Sequence, residues 1–244
     1  MLDNAMTLRI LSGMVLAPVV LAIIIKGGLL YMGMIALIAT ISLYEWAGMA
    51  KTSPTQYRDA TIGGVYLLIC CVALVFVRFA FVQGAWLALA MTLAVWASDT
   101  GAFAVGKLIG GPKMAPKISP NKTWAGFCGA MFFAGLVFMI LAAVGHNLPQ
   151  DVLNTDIGLK PKLVSKYIWR IFFLGSLIGA VGQAGDLFIS FFKRRAGIKD
   201  TGKLIPGHGG LLDRIDALLL VAPVFVLGVI VWFARHPAAG MVFK

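Results

Sequence analysis

Charge is what this sequence has least of. Only 13% of its 244 residues are charged and 60% are hydrophobic, whereas a soluble domain carries about 25% charge. That shortage excludes an ordinary soluble globule, because a chain of this size cannot bury so much apolar surface on every side of its helices. Acids are scarcer than bases, ten against 21, which leaves a formal net charge of +11. There are three cysteines. Cys70 and Cys71 are adjacent and Cys128 lies in a separate apolar run, a spacing that excludes a disulfide framework or a zinc site. All three read as small apolar packing residues. No Ser-His-Asp arrangement, no His-Glu-x-x-His and no Gly-x4-Gly-Lys-Ser/Thr loop is recognisable, and no internal repeat or low-complexity tract interrupts the chain.

What the chain does have is long apolar runs. About 20 consecutive apolar residues cross the hydrocarbon core of a bilayer as a helix. Seven runs qualify: residues 8–25, 29–50, 61–77, 79–97, 124–145, 167–192 and 212–234. The expected fold is all-α, a polytopic transmembrane helical bundle of about seven spans, within a range of six to nine. The apolar but Gly-rich stretch 100–109 reads as a broken or re-entrant piece. The first run has no clear small-residue cleavage site and reads as a retained span. Residues 1–97 are expected to be scaffold spans, and residues 98–244 to carry the chemistry.

A cytoplasmic N-terminus places thirteen of the 21 basic residues inside, the direction the positive-inside rule requires. The basic excess is then read as loop charge together with cations that hold phosphate, and not as a nucleic-acid surface. With seven spans, the two most polar loops, 106–123 and 193–211, fall on the same face. Polar loops with Gly and Pro often carry function.

Half of the ten acids lie in or beside those loops: Asp99, Asp186, Asp200, Asp213 and Asp216. An ionisable group inside a span costs about 2.5–3.5 kcal/mol on insertion scales, so these are candidates for function. Asp213 and Asp216 are three apart and share a helical face, where a divalent cation would relieve their repulsion. A plain helix cap, with Asp213 paired to Arg214 or Lys203, explains that pair equally well. Asp186, Ser190 and Lys193 fall at i, i+4 and i+7, one face carrying a carboxylate, a hydroxyl and an ammonium. Lys107, Lys113, Lys117, Ser119, Asn121, Lys122 and Thr123 crowd the approach to a helix start at Trp124, a position suited to phosphate. Alone, each group has an ordinary structural explanation. Together they suggest phosphate plus divalent metal at a membrane surface.

Ser190 to Asp216, SFFKRRAGIKDTGKLIPGHGGLLDRID, closely resembles the signature of phosphatidate cytidylyltransferases, the CDP-diacylglycerol synthases. SDTGAFAVGK (Ser98–Lys107) and KISPNKTWAG (Lys117–Gly126) are similar to the family's other recurrent region, with Ala125 where members often carry an acidic or amide side chain. Glu45-Trp46 resembles it more weakly.

The resemblance implies CTP and phosphatidic acid as substrates, CDP-diacylglycerol and pyrophosphate as products, and Mg²⁺ as the metal, with room for a second cation. It implies a bacterial inner-membrane protein with its site facing the cytoplasm, in contact with membrane lipid, and compatible with a homodimer. On this reading Asp186, Asp213 and Asp216 are the metal ligands and, with Lys193 and Lys199, the catalytic group. Asp99 and Asp200 are further metal candidates. Lys117, Ser119, Lys122, Thr123, Ser190, Arg194, Lys203, His208 and Arg214 would bind substrate. Glu45 is expected to be a buried hydrogen-bonding group between helices. Two rivals remain: a membrane transporter, and another CTP-dependent lipid enzyme such as a polyprenol kinase or an ether-lipid cytidylyltransferase.

Overall fold

A computed structural model of the chain describes residues 4–144, 161–202 and 209–235. Within them lie seven helices and one short hairpin. The helices are α1 (Asn4–Lys26), α2 (Gly28–Lys51), α3 (Gln56–Phe79), α4 (Gly84–Ile109), α5 (Trp124–Val144), α6 (Pro161–Arg195) and α7 (Leu212–Arg235). Six of them are long and apolar enough to cross a membrane, and α1 contributes a shorter apolar stretch, Gly13–Lys26. Lipid offers no hydrogen bonds to the backbone, so a spanning segment must satisfy its own, which the helix does. Large apolar side chains such as Leu68, Val72, Phe173 and Leu227 are accordingly exposed on the outside of the bundle.

Two features depart from the sequence reading. Residues 100–109 form no broken or re-entrant piece; they are the last turns of α4, which begins at Gly84 rather than at residue 79. The glycines there make room for a neighbour and do not break the helix. A Cβ at Gly101 would lie 2.8 Å from Gly129 O on α5, and one at Gly106 would lie 3.4 Å from Gly126 Cα. Small residues let helix backbones close in where the bilayer supplies no hydrophobic force between them. The polar loop after α4 is also more ordered than expected. It folds into an antiparallel hairpin, β1 (Lys113–Ala115) with β2 (Ser119–Thr123), pairing Lys113 with Thr123 and Ala115 with Ser119.

The same device sets the other crossings of this half. Gly179 of α6 lies against the Ala130 carbonyl of α5, where an added Cβ would come within 2.6 Å. Gly185 of α6 lies against the Asp216 carbonyl of α7, where it would come within 2.7 Å. Gly185→Ala must therefore push α6 from α7. The expected cost is about 1–3 kcal/mol, read as a lower melting temperature in detergent micelles; an unchanged melt would mean that backbone contact does not limit this crossing.

The remaining helices pack through large side chains. Trp46 of α2 is almost fully buried, stacks with Phe188 of α6 and meets the tilted ring of Phe192 at 5.0 Å. Its indole Nε1 donates to the Asp59 carbonyl at 2.8 Å, into the space that Gly63 leaves open. Cys70 and Cys71 are buried in this packing, while Cys128 is exposed.

Candidate functional site

At one end of the bundle α4, α5, α6, α7 and the hairpin surround a polar cavity of about 620 Å³. α4 contributes Asp99 and Lys107 to its wall, and β2 contributes Asn121, Lys122 and Thr123. α6 contributes Gln183, Asp186 and Lys193, and α7 contributes Asp213, Arg214 and Asp216. Asp200 reaches it from the connection between α6 and α7. The two polar loops singled out in the sequence thus meet on one face, as seven helices require.

The charges are paired across elements rather than along them. Lys122 Nζ lies 2.7 Å from Asp186 Oδ2 and donates to the Gln183 carbonyl at 3.3 Å. Lys193 Nζ lies 2.7 Å from Asp213 Oδ1. Asp186 is therefore not neutralised by Lys193 along its own helix face; Ser190 donates to its Oδ1 at 3.1 Å instead. Asp213 is not a plain helix cap, and its ionic partner is Lys193, not Arg214. Its Oδ2 accepts the backbone N–H groups of Thr201 at 2.9 Å and Gly210 at 3.2 Å. Both of its oxygens are thus occupied, one by a cation and one by the connection that precedes α7.

Asp216 is different. It is buried, its Oδ1 accepts the Ala217 N–H at 2.8 Å, and no cation among the described residues comes within ion-pair distance of it. The carboxylates of Asp186 and Asp99 face it closely enough to repel it. Three acids from three helices thus crowd one cavity with a single lysine, Lys122, in direct contact. Among the described residues no three acids, histidines or cysteines are close enough to enclose a metal on their own. Mg²⁺ asks for no such cage: it keeps several waters and takes one or two carboxylates plus substrate phosphate. The all-oxygen donor set at a buried carboxylate without an ion-pair partner is of the kind that ion takes, and Asp216 and Asp186, with Asp99 beside them, are the residues that would hold it.

Other predicted residues serve the frame of the cavity or stand apart from it, and Thr123, which lines it, is of the first kind. Thr123 is buried, and its hydroxyl accepts the Gly126 N–H at 3.1 Å, which caps α5. Arg194 points away from the cavity. Its Nε donates to the Ile118 carbonyl at 3.1 Å and its Nη1 to the Ile198 carbonyl at 3.2 Å, tying the hairpin to the end of α6. Lys117 and Lys199 are exposed, and neither they nor Ser119 line the cavity. Lys203 and His208 lie outside the described residues.

Three polar lining residues were given no role in the expected site. Gln183 donates to Asp99 Oδ1 at 3.4 Å and, through its carbonyl, also holds Lys122. Its spacing of three before Asp186 on a helix was the available signal. Lys107, over the Phe103 ring at 5.7 Å, was named in the basic cluster before Trp124 and given no role of its own. Asn121 stood in the basic cluster without a role.

Two acids of the first half anchor this face from outside. Glu45 of α2 is a buried hydrogen-bonding group between helices, as expected, and it joins α2 to the start of α7. Its carboxylate accepts the Leu211 N–H at 2.9 Å, the Leu212 N–H at 2.8 Å and the Thr201 hydroxyl at 2.9 Å, so it caps α7 and fastens the preceding connection. Asp59, at the start of α3, accepts from Ser53 and Thr55 and lies 3.0 Å from Arg195 Nε at the end of α6.

Comparison with known proteins gives one consistent result. The model of the "Cytidylyltransferase family" matches residues 7–82 and 56–232. A phosphatidate cytidylyltransferase of Rickettsia bellii is 38% identical over 218 residues, covering 89% of this chain and 87% of that protein. One from Rickettsia conorii is 36% identical over 222 residues, covering 90% and 89%. One from Haemophilus influenzae is 38% identical over 143 residues, covering 59% of this chain and 45% of the relative.

Proposed function

The chain belongs to the cytidylyltransferase family, among the phosphatidate cytidylyltransferases, and from that premise we propose that it joins CMP from CTP to phosphatidic acid. A phosphate oxygen of the lipid attacks the α-phosphorus of CTP; the bond from that phosphorus to the bridging oxygen of the β-phosphate breaks, and pyrophosphate leaves. The products are CDP-diacylglycerol and pyrophosphate, an early step of phospholipid synthesis, formed at the cytoplasmic face of the plasma membrane. The observation that carries this reading is the cavity where spanning helices end. There Asp99, Asp186 and Asp216 converge from three helices, with Lys122, Lys193 and Arg214 around them.

Transfer of this kind needs positioning and charge stabilisation more than a protein nucleophile. Lys122 and Lys193 would hold phosphate oxygens, and the fork of Arg214 would take a phosphate edge-on. Ser190 and Gln183 would keep Asp186 and Asp99 turned into the cavity. Asp213 would orient Lys193 and the connection before α7; when Lys193 swings to a phosphate, Asp213 Oδ1 becomes free for a cation. Mg²⁺, held by Asp216 and Asp186, supplies charge neutralisation at the phosphates when bound, and Asp99 would carry a second cation or support the first.

The test is incubation of the purified protein in micelles with phosphatidic acid, Mg²⁺ and CTP labelled at the α-phosphate. Label should pass to the lipid with one pyrophosphate released per lipid, and EDTA should bring the rate to background. Transfer of the γ-phosphate to lipid with release of CDP would instead identify a kinase. Uptake of solute into vesicles without any lipid product would identify a transporter.

A further inference from the structure

The polar cavity has two unlike walls. What α6 and α7 contribute is polar or charged throughout, Lys193 and Arg214 included. The apolar lining comes from the other side alone, Ala102, Phe103 and Gly106 of α4 with Gly126 and Phe127 of α5, and the cation set in that wall is Lys107. Asp99, Phe103 and Lys107 fall at i, i+4 and i+8 of α4 and so share one face. The Lys107 ammonium folds back one turn over the Phe103 ring, 5.7 Å from its centre, and thus toward Asp99. No carboxylate among the described residues comes within ion-pair distance of it, whereas Lys122 and Lys193 are each held by an aspartate. Phe103 lines the cavity and is still 71% exposed, which puts it at the rim. Leu108 and Ile109, at the end of the same helix, are exposed as well, so apolar surface continues from the cavity onto the outside of a helix long and apolar enough to cross a membrane.

We propose that Lys107 binds the phosphate of the lipid substrate and not those of the nucleotide, so that the cavity divides its two substrates between its two walls. The proposal rests on the function just given and adds to it which cation serves which reactant. Both reactants present phosphate, so positive charge alone does not tell them apart; what lies beside the charge does. A nucleotide is polar along its whole length, and polar groups laid on an apolar wall lose hydrogen bonds to water without replacement. A lipid phosphate has hydrocarbon next to it and loses nothing there. The α6–α7 wall, with Lys193 and Arg214, is left to the nucleotide. Lys107 is also the lysine readiest to accept an anion. A contact with a ring face is weaker than a charge-assisted hydrogen bond to phosphate, so Lys107 can exchange the ring for a phosphate oxygen, while Lys122 and Lys193 must first leave a carboxylate.

Separate KM values for the two substrates test this, with phosphatidic acid and CTP each varied in turn in nonionic detergent micelles that hold no other anionic lipid. Lys107 is exposed, so Lys107→Gln removes the charge without disturbing the packing. It should raise KM for phosphatidic acid about tenfold, the size of one hydrogen bond to a charged group, and leave KM for CTP as it is. Lys107→Arg keeps the charge and should recover most of the loss. Lys51 is exposed six residues past Glu45, which reaches the start of α7; Lys51→Gln therefore removes an equal charge from the same end of the bundle and should leave KM for the lipid unaltered. An equal rise in that variant would overturn the proposal, since general surface charge would then be attracting the lipid. An unchanged KM for phosphatidic acid in Lys107→Gln would overturn it too, as would a rise for CTP alone, with the base stacked on Phe103, or equal rises for both substrates. The underlying function is judged separately, by whether the unsubstituted protein makes any CDP-diacylglycerol.

Discussion

Asp216→Asn is expected to abolish formation of CDP-diacylglycerol, lowering kcat/KM by at least about a thousandfold, while the protein melts no lower than before. The two readouts part because of where the charge sits. Asn keeps the oxygen that accepts the Ala217 N–H, so the helix start is preserved. It removes a buried carboxylate that makes no ion pair with any described residue and that faces Asp186 and Asp99. An uncompensated buried charge costs stability, so its removal is neutral or stabilising in the resting protein and ruinous for holding a cation. Asp213→Asn makes the informative contrast. It breaks the buried pair with Lys193 and should cost about 3–5 kcal/mol of stability as well as activity. Detergent melting curves beside turnover decide the matter. If Asp216→Asn kept near-normal turnover in Mg²⁺, the assignment of the cation to this carboxylate would fall.

Glu45→Ala is expected to lower kcat about a hundredfold and stability by about 2–4 kcal/mol, although Glu45 does not line the cavity. Three donors lose their acceptor at once, two of them backbone N–H groups at the start of α7. The segment that carries Asp213 is then no longer fixed against α2, and small misplacements of reacting groups are costly. Glu45→Gln retains one carbonyl acceptor and should recover part of both losses. Proteolytic nicking between α6 and α7 should speed up in the Ala variant and return toward normal in the Gln variant. A loss of turnover with unaltered nicking and melting would instead place Glu45 in the chemistry itself.

Much of this fold was legible because lipid reduces the problem to apolar runs. Every run singled out in the sequence corresponds to a helix, and the errors sit at the ends. α4 was misread at both ends because Gly101 and Gly106 look like breakers in a linear text. Their purpose appears only when α5 is laid against them, since a glycine that ends a helix and one that admits a neighbour are the same letter. The site was legible as composition: acids and lysines gathered in two loops that share a face. The pairing was not. Spacing put Lys193 with Asp186, but the crossing of α6 and α7 gives Lys193 to Asp213 and leaves Asp186 to Lys122 of the hairpin. Neither partner is near in sequence, so no periodicity could reveal it. Glu45 was judged by its place in an apolar span, and what it holds lies 156 to 167 residues away.

Those long separations bear on how the protein is made. Glu45 and Asp59 emerge from the ribosome with the second and third helices, yet Arg195, Thr201, Leu211 and Leu212 follow 136 or more residues later. At about 5–20 residues per second, each carboxylate waits roughly 7–30 seconds for its partners. During that interval α2 and α3 must stay near the bilayer surface, or their acids must remain solvated, until the last third of the chain arrives to lock them. The catalytic face can then close only after α7 has been inserted, so a chain stalled before that point is a set of membrane helices with no enzyme in it.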